Sequence, residues 1–128
     1  MNVKQVNERL LRADLAAPRL FPHLEELAAS RFRFEVRFGL DALPEQEGVL
    51  LIRGPRQYGK STWLEAKLRD TVESHGPGSA LYLNGDELRD ADALGGALAE
   101  AAAALRPRAR VRRLFVDEIT AVRDWQRA

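Results

Sequence analysis

The spacing of apolar residues changes several times along the chain, and each change predicts a different element. Val3, Val6 and Leu10 recur at helical spacing, and Asp14 is expected to end that helix and open the next segment. Pro22 suits the first turn of a short helix whose stripe is Leu24, Leu27 and Ala28. The period then drops to two. Phe32, Phe34, Val36 and Phe38 alternate with Arg31, Arg33, Glu35 and Arg37, the pattern of a half-buried strand. Val49-Leu50-Leu51-Ile52 is instead a continuous apolar run, as in a strand buried on both faces of a parallel sheet.

Helical spacing returns with Leu64, Leu68 and Val72, and Gly76-Pro77-Gly78 stops that helix. Ala80-Leu81-Tyr82-Leu83 predicts another strand, ending at the turn-prone Asn84-Gly85-Asp86. Leu94, Leu98, Ala101 and Leu105 mark an alanine-rich helix, weakened by Gly95 and Gly96. Leu114-Phe115-Val116 is a last short strand that delivers Asp117 and Glu118. Strands alternating with helices predict an α/β fold with a mainly parallel sheet flanked by helices. The expected division is an N-terminal helical segment with one strand over residues 1–47, leading into a core over residues 48–128.

Composition narrows the function classes. Of 128 residues, 45% are hydrophobic and 30% charged, the balance of one folded domain. Twenty basic residues against 19 acidic ones leave a net charge of +1, so no global field draws the chain to nucleic acid or membrane. The absence of cysteine removes thiol chemistry, and the two histidines, His23 and His75, lie far apart. With no signal-peptide core and no run near the length of a membrane span, the default expectation is cytoplasmic.

One run carries specific chemistry. Gly54-Pro55-Arg56-Gln57-Tyr58-Gly59-Lys60-Ser61-Thr62 satisfies G-x-x-x-x-G-K-[ST], the phosphate loop or Walker A pattern. Gly54 and Gly59 let the backbone fold back so that successive N–H groups point at phosphate oxygens. The helix that follows adds its positive dipole end beneath the same phosphates. Lys60 reaches the β- and γ-phosphate oxygens, the Ser61 hydroxyl ligates Mg2+, and Thr62 contributes at the α-phosphate end. An apolar strand before the run and a helical stripe after it supply the context that this pattern requires.

The strand ending at Asp117 supplies the complement, a Walker B pattern. Asp117 is placed to hold Mg2+ on the Ser61 side, and Glu118 to act as general base on the attacking water. Lys60 and Glu118 are thus the candidate catalytic residues, and Ser61 and Asp117 the candidate metal ligands. Asp117-Glu118-Ile119-Thr120 is not the D-x-x-G of GTP-binding switch proteins, and no N-K-x-D run reads guanine, so ATP is the expected nucleotide.

Arg53 and the run through Thr62, with Phe115-Val116-Asp117-Glu118-Ile119 and then Asp124-Trp125, resemble the prokaryotic AAA-type P-loop ATPases. The resemblance is to the archaeal-ATPase-like group with an R-G-P-R-Q-x-G-K-[ST] signature, and Tyr82-Leu83-Asn84 fits that group's second strand. Tyr58 stands where a small aliphatic residue is usual, and Thr120 where glutamine is common. The resemblance implies a P-loop NTPase that hydrolyses the ATP γ-phosphate. It also implies a sensor strand and a helical lid beyond Glu118, so the chain reads as the N-terminal portion of such a domain, truncated after the Walker B strand. The apolar edge at residues 49–52 would then be open to self-association or to the missing C-terminal region. Slow or absent turnover by this chain alone is expected, because no sensor or arginine finger is identified.

Other readings stay open beside this one. The domain could be a non-catalytic nucleotide-binding or interaction module, or a small-molecule kinase with its acceptor near residues 84–89. The arginines at 106, 108, 110, 112 and 113 form either a solvated loop or a phosphate-binding patch for nucleic acid. Arg56 either touches phosphate or a neighbouring subunit, or has a structural role. Trp125 is expected to pack, and the histidines to lie at the surface or at helix ends.

Overall fold

The computed structural model describes residues 1–29, 43 and 59–127. The strands expected at residues 31–38 and 49–52, and Gly54, Pro55, Arg56, Gln57 and Tyr58 of the phosphate loop, lie outside the described residues. Two helices lead. Asn2 opens α1 (Val3–Leu11) with a reciprocal cap: its Oδ1 accepts from the Gln5 N–H at 2.9 Å, and Gln5 Oε1 accepts from the Asn2 N–H at 3.0 Å. The helix ends at Leu11, earlier than expected. Asp14 sits beyond it and binds back to the Arg9 guanidinium at 2.6 Å. Pro22 does open α2 (Pro22–Ala29), with Leu24 and Leu27 half-buried.

Among the described residues the sheet contains β1 (Ala80–Asn84) and β2 (Arg113–Asp117), which pair in parallel with Ala80 opposite Arg113 and Asn84 opposite Asp117. A parallel pair needs a crossover, and α4 (Ala91–Ala104) supplies it, capped by Asp90, whose Oδ1 accepts from the Ala93 N–H at 2.9 Å. Helices α1, α4 and α3 (Lys60–His75) pack on the strands. The core at their junction contains Val6, Leu10, Leu20, Phe21, Leu68, Val72, Leu81, Leu83, Ala101, Leu105 and Phe115.

The second edge of β1 is closed by a side chain. Asn7 on α1 donates its Nδ2 to the Tyr82 carbonyl at 2.8 Å, and its Oδ1 accepts from the Tyr82 N–H at 2.7 Å. One amide thus replaces the two backbone groups of a neighbouring strand, which closes this point of an otherwise pairing-prone edge.

The arginine-rich loop is less free than the sequence suggests. Arg113 belongs to β2, where its Nη1 donates to Thr71 Oγ1 at 2.9 Å and its Nη2 to the Leu43 carbonyl at 3.4 Å. Arg106 donates its N–H to the Gly78 carbonyl at 2.9 Å and its Nη2 to the His75 carbonyl at 3.3 Å. At least two of the five arginines are therefore engaged in holding the loop against the end of α3, which leaves a smaller basic surface. No helix among the described residues is long and apolar enough to cross a membrane.

Candidate functional site

The site lies where α3 begins and β1 and β2 end. Gly59 takes a left-handed conformation, φ 78°, and passes the chain directly into α3 at Lys60, a step for which glycine carries no Cβ penalty. Lys60, Ser61 and Thr62 occupy the first turn of α3, all half-buried. Their placement directs the amino end of a 16-residue helix toward the carboxyl end of the sheet.

Asp117 is the last residue of β2, and both its oxygens are engaged. Ser61 Oγ donates to Oδ2 at 2.7 Å, and the Glu118 N–H donates to Oδ1 at 2.9 Å. The structure thus brings together two residues from separate runs of the sequence, 61 and 117. A hydroxyl and a carboxylate are hard oxygen donors, the set that suits Mg2+. Two such donors form only part of an octahedral shell, which matches the way Mg2+ is usually held together with substrate phosphates and water.

Glu118 follows immediately, with φ at 53°, an uncommon conformation for a residue with a side chain. A short 3-10 turn, Ile119–Ala121, continues from it, and the Ala121 N–H donates to the Glu118 carbonyl at 3.1 Å. Farther on, Trp125 is half-buried in the turn Trp125–Arg127, which packs on α4.

The sequence pattern does not place Tyr82 in this neighbourhood, and it puts Asn84 there only under the kinase alternative. Asn84 lies opposite Asp117 in the parallel register, and its Nδ2 donates to the Tyr82 hydroxyl oxygen at 3.1 Å. Burial pushes the Tyr82 hydroxyl pKa up, and the Asp117 charge pushes it further, against the opposing effect of the Asn84 hydrogen bond. Tyr82 therefore stays a neutral phenol beside the carboxylate. The turn-prone Asn84 side chain also accepts from the Asp86 N–H at 2.9 Å, fixing the turn that follows β1.

Glu65 is the other group that the helical stripe did not single out. It is buried at 6% exposure, one turn beyond Ser61, and faces the start of α2. Its Oε1 accepts from the His23 N–H at 3.0 Å, and its Oε2 contacts His23 Nδ1. The carboxylate thus caps α2 and ties it to the helix that carries Lys60 and Ser61. Burial raises the Glu65 pKa above its ordinary 4.5, and His23 and the Leu24 N–H offset this only in part.

The folded chain therefore holds the Glu65 proton more tightly than the unfolded chain does. That contribution is complete below pH 4.5 and is lost as pH rises through the elevated folded value. Glu65→Gln keeps an acceptor for α2 but cannot ionise. It should gain stability relative to the parent as pH climbs from 4.5 toward neutrality, read by urea unfolding across that range. A gap independent of pH would remove the buried-carboxylate account.

Neither a curated protein nor a solved structure matches the chain. A family profile described as "AAA domain" matches residues 46–128, from before the phosphate-loop run to beyond the Asp117–Glu118 turn. That match covers more than half of the chain, and the chain belongs to this AAA domain family, with an AAA-type P-loop ATPase-like domain.

Proposed function

We propose that the chain binds ATP with Mg2+ at the junction of α3 and β2, and that the domain hydrolyses the γ-phosphate. The observation that carries this reading is the 2.7 Å hydrogen bond from Ser61 to Asp117, which joins the Walker A and Walker B patterns in space. The Arg53-Gly54-Pro55-Arg56-Gln57 run and the Asp124-Trp125 pair favour the archaeal-ATPase-like group within the family.

In this reading the N–H groups of residues 54–62 cradle the phosphates, and Lys60 neutralises the β- and γ-oxygens. Ser61 and Asp117 would hold the cation with their hydroxyl and carboxylate oxygens. Mg2+ held there would supply positive charge to offset the negative charge that develops on the phosphate oxygens. Glu118 accepts a proton from water as the water oxygen attacks the γ-phosphorus. The bond from that phosphorus to the bridging oxygen breaks, and ADP and phosphate leave.

Ser61→Ala and Asp117→Asn test the metal half of the proposal. Each removes a charge-assisted contact, and each should weaken MgATP binding by about 10- to 100-fold. Affinity for ATP in excess chelator should change little, because Lys60 and the loop N–H groups are untouched. Equal losses with and without Mg2+ would take the metal away from these two residues.

A further inference from the structure

The turn after β1 and the turn after β2 touch backbone to backbone, and Gly85 is the point of contact. Gly85 is buried and opens the 3-10 turn Gly85–Glu87. A Cβ at this position would lie 2.0 Å from the Glu118 carbonyl oxygen, 2.8 Å from the Glu118 carbonyl carbon and 3.1 Å from Val122 Cγ2. The first two are backbone atoms, so no side-chain rotation relieves them. Glu118 meanwhile holds a left-handed backbone at φ 53°, with its N–H on Asp117 Oδ1 and its carbonyl accepting from Ala121. Val122, buried at 1% exposure, closes the same contact from behind.

These observations converge on one role. The left-handed step at Glu118 turns its carbonyl onto Gly85, and only a residue without Cβ leaves room for it. That backbone sets the direction in which the Glu118 Cβ leaves the chain. We infer that Gly85 is a positioning residue for the hydrolytic step: its bare Cα holds the Glu118 turn in place and so aims the Glu118 carboxylate at the attacking water. The inference rests on Glu118 acting as general base. In this inference Gly85 acts through Glu118 and not by contact with nucleotide or water.

The same contact extends to the N-terminal helix. The Val3 N–H at the start of α1 donates to Glu87 Oε2 at 3.2 Å, and the Leu88 N–H donates to the Gly85 carbonyl at 3.1 Å. The Gly85 turn is thus held from the α1 side while it bears on Glu118 from the other. A methyl group at residue 85 has no slack to use, and the Glu118 carbonyl must move by about an ångström to reach ordinary contact distance. Misplacement on that scale costs about 10²-fold in rate when the displaced group acts in the chemical step.

The test compares Gly85→Ala, Val122→Ala and Glu118→Gln with the parent 128-residue chain. Single-turnover release of phosphate from MgATP, the MgATP Kd and the backbone resonances of Glu118 are measured for each. Gly85→Ala is expected to shift the Glu118 and Ala121 resonances and to cut turnover by about 10²-fold. Its MgATP Kd should stay within about threefold of the parent, because Lys60, Ser61 and Asp117 are not displaced. A purely structural glycine would lower stability and leave both turnover and the Glu118 resonances of the folded fraction unchanged, and that result overturns the inference.

Val122→Ala decides between the two outcomes if Gly85→Ala does not fold. It loosens the wall behind the contact without adding an atom, so turnover should fall with Kd preserved, and unchanged turnover counts against the inference. Equal turnover by Glu118→Gln and the parent would overturn the base assignment itself. In that case, or if the parent shows no turnover, the Glu118 resonances in Gly85→Ala still decide whether residue 85 sets this backbone.

Discussion

Glu118→Gln is expected to keep MgATP bound and to cut its turnover by about 10²–10⁴-fold, the usual contribution of a positioned general base. In activation free energy that is about 3–5 kcal/mol. Glutamine preserves the size of the side chain and its hydrogen-bonding reach but cannot take the proton from water. A left-handed conformation at a residue with a Cβ costs of order 1–3 kcal/mol and persists where the surroundings over-determine it. At Glu118 they do: Asp117 Oδ1 holds its N–H, Ala121 binds its carbonyl, and Gly85 lies flush against it. Single-turnover release of labelled phosphate measures the effect even when the parent rate is low. Unchanged turnover in Glu118→Gln would favour a non-catalytic nucleotide-sensing module over a hydrolase.

The second large effect is on stability. Leu81 lies in β1 at 2% exposure and belongs to the core on which α1 and α3 converge. Leu81→Ala removes three buried carbons and leaves a cavity that the paired strands cannot readily fill, so the cost should be about 2–5 kcal/mol. Leu81→Met, close in volume, should cost less than about 1.5 kcal/mol. Urea unfolding of the two variants reads the difference. A loss below about 1 kcal/mol for the alanine variant would mean that the junction collapses around the missing side chain, which the packing of α1 and α3 on the strands does not allow.

Much of this architecture is legible in the sequence because the responsible signals are local. The Val3–Val6–Leu10 stripe of α1, Pro22 in the first turn of α2, the Gly76 stop of α3 and the short apolar runs of β1 and β2 each need only neighbouring residues. The meeting of Ser61 with Asp117 is legible for a different reason: phosphate-loop chemistry requires a carboxylate at the end of a nearby strand, and Asp117 has that place. Where several elements must meet, the sequence is silent. Asn7 reads as an ordinary polar position on an amphipathic helix, and its two bonds to Tyr82 depend on where α1 docks. Glu65 reads as a charge beside the Leu64–Leu68 stripe, yet the start of α2 buries it as a cap. Gly85 reads as a turn residue. The reason it must be glycine is Glu118, on another strand's turn. Arg106 and Arg113 look like members of one basic run, and only tertiary partners at Gly78, His75, Thr71 and Leu43 distinguish them.

The most direct measurement of the central claim is calorimetric titration of MgATP into the folded 128-residue chain, beside Lys60→Ala. Lys60 opens α3 next to Ser61, and its ammonium is the group assigned to the β- and γ-phosphates. The account predicts saturable binding by the parent and a loss of at least about tenfold in the variant, the worth of a charge-assisted phosphate contact. A folded parent that takes up no MgATP, or a Lys60→Ala variant that binds it as well as the parent does, would contradict the account.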